Sequence, residues 1–148
     1  MNFDKLLRDD RLRQHKTSQQ EIKEMLYLVD RDLIDASVEG LSSDRRFMIA
    51  YDPVLTLATI PLYCAGYRTH GAGHHWTVFL TLPLSMSPEQ KALASYLDSC
   101  RNKRNISSYD RSGRITDGEA AELLEEAIIF KSKIEAWLRD NHPEFSPE

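Results

Sequence analysis

The sequence predicts an all-α fold, an antiparallel up-and-down bundle of four main helices with one or two short extra helices. Three observations lead to this prediction: apolar residues recur at steps of three and four, capping signals precede the apolar stretches, and the connecting loops are short. The 148 residues, 41% hydrophobic and 28% charged, have the composition of one globular domain. We therefore expect a single domain over 1–148, with an N-terminal arm at 1–17 and a C-terminal tail at 142–148.

The first main helix follows a charged segment at residues 3–14, where we expect a short helix or a frayed arm. Overlapping capping boxes at Thr17 and Ser18 predict that the main helix starts there, because their hydroxyl groups can accept hydrogen bonds from first-turn N–H groups. The apolar stripe then continues at helical spacing. The helix is predicted to span about 18–39 and to end at Gly40, a residue that adopts the left-handed conformation easily.

The second main helix is predicted from a capping signal at residues 42–44 and the apolar run 47–67 that follows. Proline inside a helix removes one hydrogen bond and clashes with the preceding turn. We therefore expect a kink or a restart between Asp52 and Pro53, where the aspartate can cap a new helix. The segment 69–73 is predicted to be a turn.

The second half of the chain begins with an ambiguous segment, 74–84, whose β-branched and aromatic residues also fit a strand. A lone strand would have no partner, so we predict a short helix. Residues 87–90 signal the next main helix, which leads to a polar loop at 106–116. A capping box at 116–119 begins the last helix, which Pro143 ends. Its predicted inward-facing residues are Ala120, Leu123, Leu124, Ala127, Ile128, Phe130, Ile134, Trp137 and Leu138.

Composition and charge exclude several classes of protein. The formal net charge is −4, whereas domains that coat duplex DNA are usually basic. Cys64 and Cys100 lie in apolar stretches and indicate neither a disulfide framework nor a metal knuckle. We expect no signal peptide, because the charged N-terminus lacks an apolar segment, and no membrane span, because the longest apolar run, Trp76–Leu84, is too short. The prediction is a cytoplasmic protein with no membrane contact and no cofactor.

Positive charge is concentrated late in the third main helix and in the loop after it. The candidate phosphate-binding residues are Arg101, Lys103, Arg104, Arg111 and Arg114. Arg104 shares a helical stripe with Leu97 and Cys100, so helix geometry directs its guanidinium toward the packed side or a subunit interface. A buried cation is unfavourable unless it is paired, and a phosphate would pair it. The alternative is that these cations only complement the dipole at the end of the helix.

Three short motifs occur in an informative order along the chain. They are Ala65-Gly66-Tyr67-Arg68, Gly73-His74-His75 and, late in a long helix, Arg104-Asn105-x-x-x-Tyr109. Together they resemble the HEPN superfamily of small helical-bundle proteins, and the similarity covers roughly 18–138. The resemblance implies an RNA-cleaving toxin or the partner of a nucleotidyltransferase, and a homodimer in which two Arg-x(4–6)-His motifs face each other.

The resemblance implies catalytic roles for Arg104, Asn105 and Tyr109, with Tyr109 at the position of the family histidine. A phenol with a reference pKa of about 10 is a poor base at neutral pH, whereas a neutral imidazole can accept a proton. A tyrosine can still position a phosphate, so the substitution affects catalysis more than binding. His74 or His75 could act as the base instead, provided that their loop reaches Arg104.

His70, His74 and His75 also raise the question of a metal site. Zinc needs three or four converging ligands, and no cysteine or carboxylate cluster flanks these histidines in the sequence. We therefore assign no metal ligands. The structural alternative is that a histidine at the helix start bonds to backbone or packs beside Trp76.

These observations lead to one functional hypothesis and one alternative. The hypothesis is a HEPN-like bundle that binds RNA or a nucleotide phosphate through the Arg101–Tyr109 region, with metal-independent RNA cleavage as its enzymatic form. The alternative is a non-catalytic interaction or dimerisation module in which Arg104 is a structural residue of the dimer interface. The expected partners are a second copy of the chain, RNA or a nucleotide, and a nucleotidyltransferase or an antitoxin.

Overall fold

The computed structural model describes residues 2–109 and 115–147, with side chains at 2–105 and 115–147. Its elements in chain order are α1 (Phe3–Arg8), β1 (Leu12–Gln14), α2 (Gln19–Ala36), α3 (Ser43–Cys64), β2 (Tyr67–Thr69), α4 (His74–Ser85), a 3₁₀ turn (Pro88–Gln90), α5 (Lys91–Tyr109) and α6 (Asp117–Asn141). The all-α prediction is confirmed: α2, α3, α5 and α6 are the four long helices, and the two strands are three residues each.

Helix α3 lies at the centre of the bundle, where it packs against α2, α4, α5 and α6. Ten of its residues are buried, so it contacts neighbours on most of its circumference rather than along one stripe. The main core gathers buried residues from α2, α3, α4, α5 and α6, and a small satellite core forms around Leu6, Leu12 and Leu62. Helices α2 and α6 contact each other, as do α4 and α5, so we describe these two pairs as the two sides of the bundle.

The predicted helix starts are confirmed at three positions. Ser18, Ser42 and Thr116 each accept a hydrogen bond from the backbone N–H three residues further on. At the start of α6 the capping box is complete, because the Glu119 carboxylate also accepts from the Thr116 N–H at 3.0 Å. Local sequence therefore fixes where these helices begin.

The predicted end of the first main helix is wrong by three residues, because α2 ends at Ala36 rather than near Gly40. The guanidinium of Arg46 explains the difference. It donates to the Ala36 carbonyl at 3.0 Å and to the Val38 carbonyl at 2.6 Å, and so satisfies backbone groups that a longer helix would have paired internally. Gly40 has φ +87°, so it turns the loop rather than capping the helix.

The predicted restart at Pro53 is also wrong, because α3 runs unbroken through both Pro53 and Pro61. Both prolines are buried, and the packing of this central helix outweighs the hydrogen bonds that they remove. By length and composition alone, α3 could also span a bilayer. The prediction that Trp76–Leu84 is the longest apolar candidate for a membrane span is therefore wrong. More than half of that apolar stretch is buried inside the bundle, as expected for the core helix of a globular fold.

The N-terminal arm is ordered as α1 and β1 and is not frayed. Strand β1 pairs with β2 in antiparallel register, with Leu12 opposite Thr69 and Gln14 opposite Tyr67. Sequence analysis did not predict this two-stranded sheet. It anchors the arm beside α3 and brings residues 10–13 close to the start of α4.

Two predictions about the second half of the chain have different outcomes. Segment 74–84 is helical, as predicted, and forms α4. The predicted loop at 106–116 is wrong in its first part, because α5 continues to Tyr109. On α6, Ile128 was predicted to face inward but is 49% exposed, because the packed stripe follows Leu123, Ala127 and Phe130 instead.

Candidate functional site

Tyr51 of α3 lies at the centre of the candidate site and is completely buried. The guanidinium carbon of Arg104, on α5, lies 5.1 Å from the centre of the Tyr51 ring, a cation–π contact. On its other side, the Tyr51 hydroxyl forms a hydrogen bond of 3.2 Å with Nδ1 of His75, in the first turn of α4. One buried side chain thus links α4 and α5 and fixes the relative position of a histidine and an arginine.

We call the group of Tyr51, His74, His75, Arg101 and Arg104 the cation site. Arg101 and Arg104 are one helical turn apart and share a face of α5. His74 is exposed, and its ring lies 4.6 Å from the ring of His75 in an edge-on arrangement. His75 and Arg104 therefore both contact Tyr51, His75 through the hydroxyl group and Arg104 through the ring.

Burial and the neighbouring positive charges both affect the pKa of His75. Burial, followed by the positive charges of His74, Arg104 and Arg101, lowers the pKa of His75 to about 4. Burial also raises the pKa of Tyr51 well above its usual range, so the phenol keeps its proton at neutral pH. His75 is therefore neutral at pH 7, and the Tyr51 hydroxyl is available as a hydrogen-bond donor to Nδ1.

These protonation states limit what His75 can do chemically. When the Tyr51 hydroxyl donates to Nδ1, the neutral ring carries its proton on Nε2 and offers a donor rather than a lone pair. A group with a pKa of about 4 is also a weak base at neutral pH. The arrangement suits hydrogen bonding to an anion better than abstraction of a proton.

The start of α4 adds a second source of positive potential. Gly73 precedes the helix with φ +72° and has no side chain to cap the first-turn N–H groups. Helix N-termini attract anions, because unpaired N–H groups and the helix dipole both point outward there. Arg11, from the arm, lies over the Trp76 ring with its guanidinium carbon 5.1 Å from the ring centre. Three sources of positive charge thus meet at this end of the bundle.

The predicted phosphate-binding residues separate into different surroundings. Arg101 lies in the cation site but also pairs with Asp98, with 2.8 Å between Arg101 Nε and the carboxylate. Lys103 points away from Tyr51 and forms an ion pair with Glu119 at the start of α6. The structure therefore brings Arg101 and Arg104 together and does not bring Lys103 to the same place.

The remaining predicted residues are only partly described. Asn105 is half-buried on α5, directly after Arg104. The helical backbone continues to Tyr109, so positions 105 and 109 are one turn apart, but the side chain of Tyr109 lies outside the described residues. Arg111 and Arg114 also lie outside them.

His70 is separate from the other two histidines of its motif. Its Nε2 lies 3.0 Å from a guanidinium nitrogen of Arg13 and 3.6 Å from the carboxylate of Asp10. Among the side chains that the structure describes, no group of three histidine, cysteine or carboxylate residues is placed to hold a metal ion.

Sequence analysis missed two residues that build this site, Tyr51 and Arg11. Tyr51 is 24 residues from His75 and 53 from Arg104, and Arg11 is 65 residues from Trp76, so no local spacing could have connected them. The only signal for Tyr51 was its position in an apolar run, which predicts burial and not a role.

Comparison with known proteins adds no further constraint. No family model, no curated protein and no solved structure is significantly similar to this chain.

Proposed function

We propose that this protein binds the phosphate of RNA or of a nucleotide at the cation site. The observation that carries the proposal is the convergence of Arg101, Arg104 and the uncapped first turn of α4 on one buried tyrosine. In a chain with a net charge of −4, two neighbouring arginines and a helix N-terminus favour an anion at this place.

Each group of the site has a distinct part in binding. The guanidinium of Arg104 is held by the Tyr51 ring, so its N–H groups are preorganised to donate to phosphate oxygens. The neutral His75 supplies a further N–H donor, and the first turn of α4 supplies backbone N–H groups. Arg101 can exchange its pair with Asp98 for a phosphate oxygen, since both partners are only partly buried.

Binding is the part of the hypothesis that these residues support best, and RNA cleavage is its more demanding form. In cleavage, Arg104 would stabilise the charge that develops on the phosphorus centre, and Asn105 and Tyr109 would orient the substrate. A base for the attacking hydroxyl is the weak point, because His75 has a pKa of about 4. The resemblance to HEPN proteins supports the choice of RNA as ligand and leaves the catalytic step open to test.

The test is a titration of a labelled short single-stranded RNA at two salt concentrations. We expect affinity to fall as salt rises, because binding releases counterions from the phosphates. Arg104→Ala is expected to weaken binding about tenfold or more, the cost of a charge-assisted contact. Undetectable binding at low salt, or an affinity that Arg104→Ala leaves unchanged, would remove the proposal.

Arg139→Ala provides the matched control for this titration. Arg139 is exposed and lies twenty residues beyond Glu119 on α6, which places it about 30 Å from the end of the bundle that holds Lys103. Arg139→Ala removes the same charge as Arg104→Ala. An equal loss of RNA affinity in these two variants would therefore indicate a non-specific effect of net charge. Circular dichroism of each variant checks that the fold is retained.

Cleavage is tested separately with the same proteins. Wild type that degrades RNA without added metal, beside an inactive Arg104→Ala variant, would establish the enzymatic form. Equal inactivity of both proteins would limit the function to binding.

A second candidate function is the non-catalytic interaction module, with a second copy of the chain as partner. It is favoured by apolar side chains on the α2 and α6 side, where Ile34 is 70% and Ile128 49% exposed. The ion pair of Lys131 with Asp30, at 3.0 Å, holds these two helices side by side. Light scattering is expected to give a dimer mass that Ile34→Glu reduces to a monomer, and a wild-type monomer at physiological salt would contradict it.

A further inference from the structure

A groove of about 660 Å³ runs between α4 and α5 beside the cation site. Its walls are mainly apolar and include Trp76, Phe79, Leu80 and Pro83 of α4. Its α5 side carries the polar residues Lys91, Ser95 and Asp98. A concave, mostly apolar space of this size with a few polar groups is typical of small-molecule sites.

The groove and the cation site are joined at one end. Asp98 lines the groove and pairs with Arg101 of the cation site at 2.8 Å. Trp76 lines the groove and directly follows His75 in the first turn of α4. A ligand with its anionic group at Arg101 and Arg104 can therefore extend along α5 toward the groove.

The positions of the two parts along α5 are compatible with one nucleotide. Asp98 and Arg104 are six residues apart on one helix, which corresponds to a rise of about 9 Å. A nucleotide separates its base from its phosphate by a single ribose. A base in the groove and a phosphate at Arg104 can therefore belong to the same nucleotide.

The groove residues also fit the chemistry of a base. The indole of Trp76 and the apolar walls offer surfaces against which a flat aromatic ring can stack. The carboxylate of Asp98 accepts hydrogen bonds and repels a second carboxylate, so it favours a ligand that presents N–H donors at this end. Cytosine, adenine and guanine carry an exocyclic amino group, whereas uracil has a carbonyl group at the corresponding position of cytosine.

We propose that the α4–α5 groove binds the base of the nucleotide whose phosphate occupies the cation site, with preference for a base that carries an amino group. Trp76 is the stacking surface and Asp98 the hydrogen-bond acceptor. This inference rests on the proposed function, since it requires a phosphate at Arg104.

The experiment measures binding of AMP, CMP, UMP and ribose 5-phosphate by calorimetry at low salt. Ribose 5-phosphate reports the cation site alone. We expect AMP to bind about tenfold more tightly than ribose 5-phosphate, because stacking of the base adds to the phosphate contact. CMP is expected to bind several-fold more tightly than UMP, because the two differ at the group that Asp98 meets.

A matched pair of variants locates the base. Ser95 is exposed and lines the groove, whereas Ser99 is exposed one turn further along α5 and is not among the groove residues. Ser95→Phe is expected to fill the groove and reduce AMP binding to the level of ribose 5-phosphate. Ser99→Phe adds the same side chain and is expected to leave both ligands unchanged.

The outcomes separate this inference from the proposed function. If no phosphate-bearing ligand binds, both proposals fail. If ribose 5-phosphate and AMP bind equally and Ser95→Phe has no effect, the groove is not a base site while the phosphate site stands. Octyl phosphate that binds more tightly than AMP would identify a site for apolar chains and overturn the inference, and equal binding of CMP and UMP would overturn the amino preference.

Discussion

Two sides of the bundle pack against the same central helix, one formed by α2 and α6 and the other by α4 and α5. They differ in how their helix starts are capped and their charged groups paired. Both α2 and α6 begin with a side-chain cap, and α6 has a complete capping box. Their polar rim contains paired charges, such as Lys131 with Asp30. In contrast, α4 begins at a glycine that provides no side-chain cap, and a groove of about 660 Å³ lies beside its contact with α5.

The difference extends to titratable groups. In its buried and positively charged surroundings, His75 has a pKa of about 4, an arrangement that lowers stability at acidic pH. Unfavourable features of this kind are common at functional sites, where they are retained because binding needs them. The α2 and α6 side therefore has capped helix starts, whereas the α4 and α5 side has the uncapped helix start and the cation site that our proposal uses.

The largest expected effect comes from a matched pair of core phenylalanines. Phe130 on α6 and Phe79 on α4 are each 1% exposed, but only Phe79 borders the groove. Phe130→Ala is expected to lower the free energy of unfolding by about 3–5 kcal/mol, because it leaves an enclosed cavity. Phe79→Ala is expected to cost less, since the groove already lies on one side. Urea unfolding measures both, and a larger loss for Phe79→Ala would contradict the comparison.

The next effect is a pH dependence that arises from His75. Its pKa falls from 6.5 in the unfolded chain to about 4 in the fold, so the unfolded state binds more protons between these values. Stability from the neutral ring is therefore complete above pH 6.5 and is lost as pH falls toward 4. After allowance for partial exposure, we expect wild type to lose about 1–2 kcal/mol between pH 7 and pH 5 relative to His75→Gln.

Chemical unfolding of both proteins at the two pH values checks this prediction. Only the difference between them is informative, because other groups titrate equally in both. Parallel loss of stability in wild type and His75→Gln would mean that His75 keeps an ordinary pKa in the fold.

A smaller effect is expected at the N-cap of α6. Thr116→Ala should lower the free energy of unfolding by about 1 kcal/mol, because it removes the hydroxyl that accepts a hydrogen bond from the Glu119 N–H. Thr116→Ser keeps the hydroxyl and should retain most of that stability. Thermal unfolding compares the variants, and an alanine variant as stable as wild type would show that the cap contributes little.

The smallest effect concerns the exposed ion pair of Lys103 and Glu119. We expect Lys103→Ala to change stability by about 0.5 kcal/mol or less, as is usual for surface pairs. Since Lys103 points away from Tyr51, its replacement should also weaken RNA binding less than Arg104→Ala does. An equal loss of RNA affinity in Lys103→Ala and Arg104→Ala would show that Lys103 belongs to the binding surface, contrary to its position in the structure.

Sequence reasoning was most successful where the signal is local. The all-α class, the starts of α2, α3 and α6, and the helical state of α4 all follow from interactions within one or two turns. It failed where a distant residue decides, as at the end of α2, where Arg46 takes the carbonyl groups of Ala36 and Val38. The alternative of a helix restart at Pro53 also failed, because burial of α3 outweighs the local cost of proline.

The candidate site divides in the same way. The sequence by itself singled out Arg104, Arg101, His74 and His75, because charge and histidine pairs are visible as residue types. Only the tertiary structure decided that His75 and Arg104 meet, because both depend on the buried ring and hydroxyl of Tyr51 from a third helix. Helices and their caps form from neighbours in the chain, whereas sites and grooves form from residues that only packing brings together.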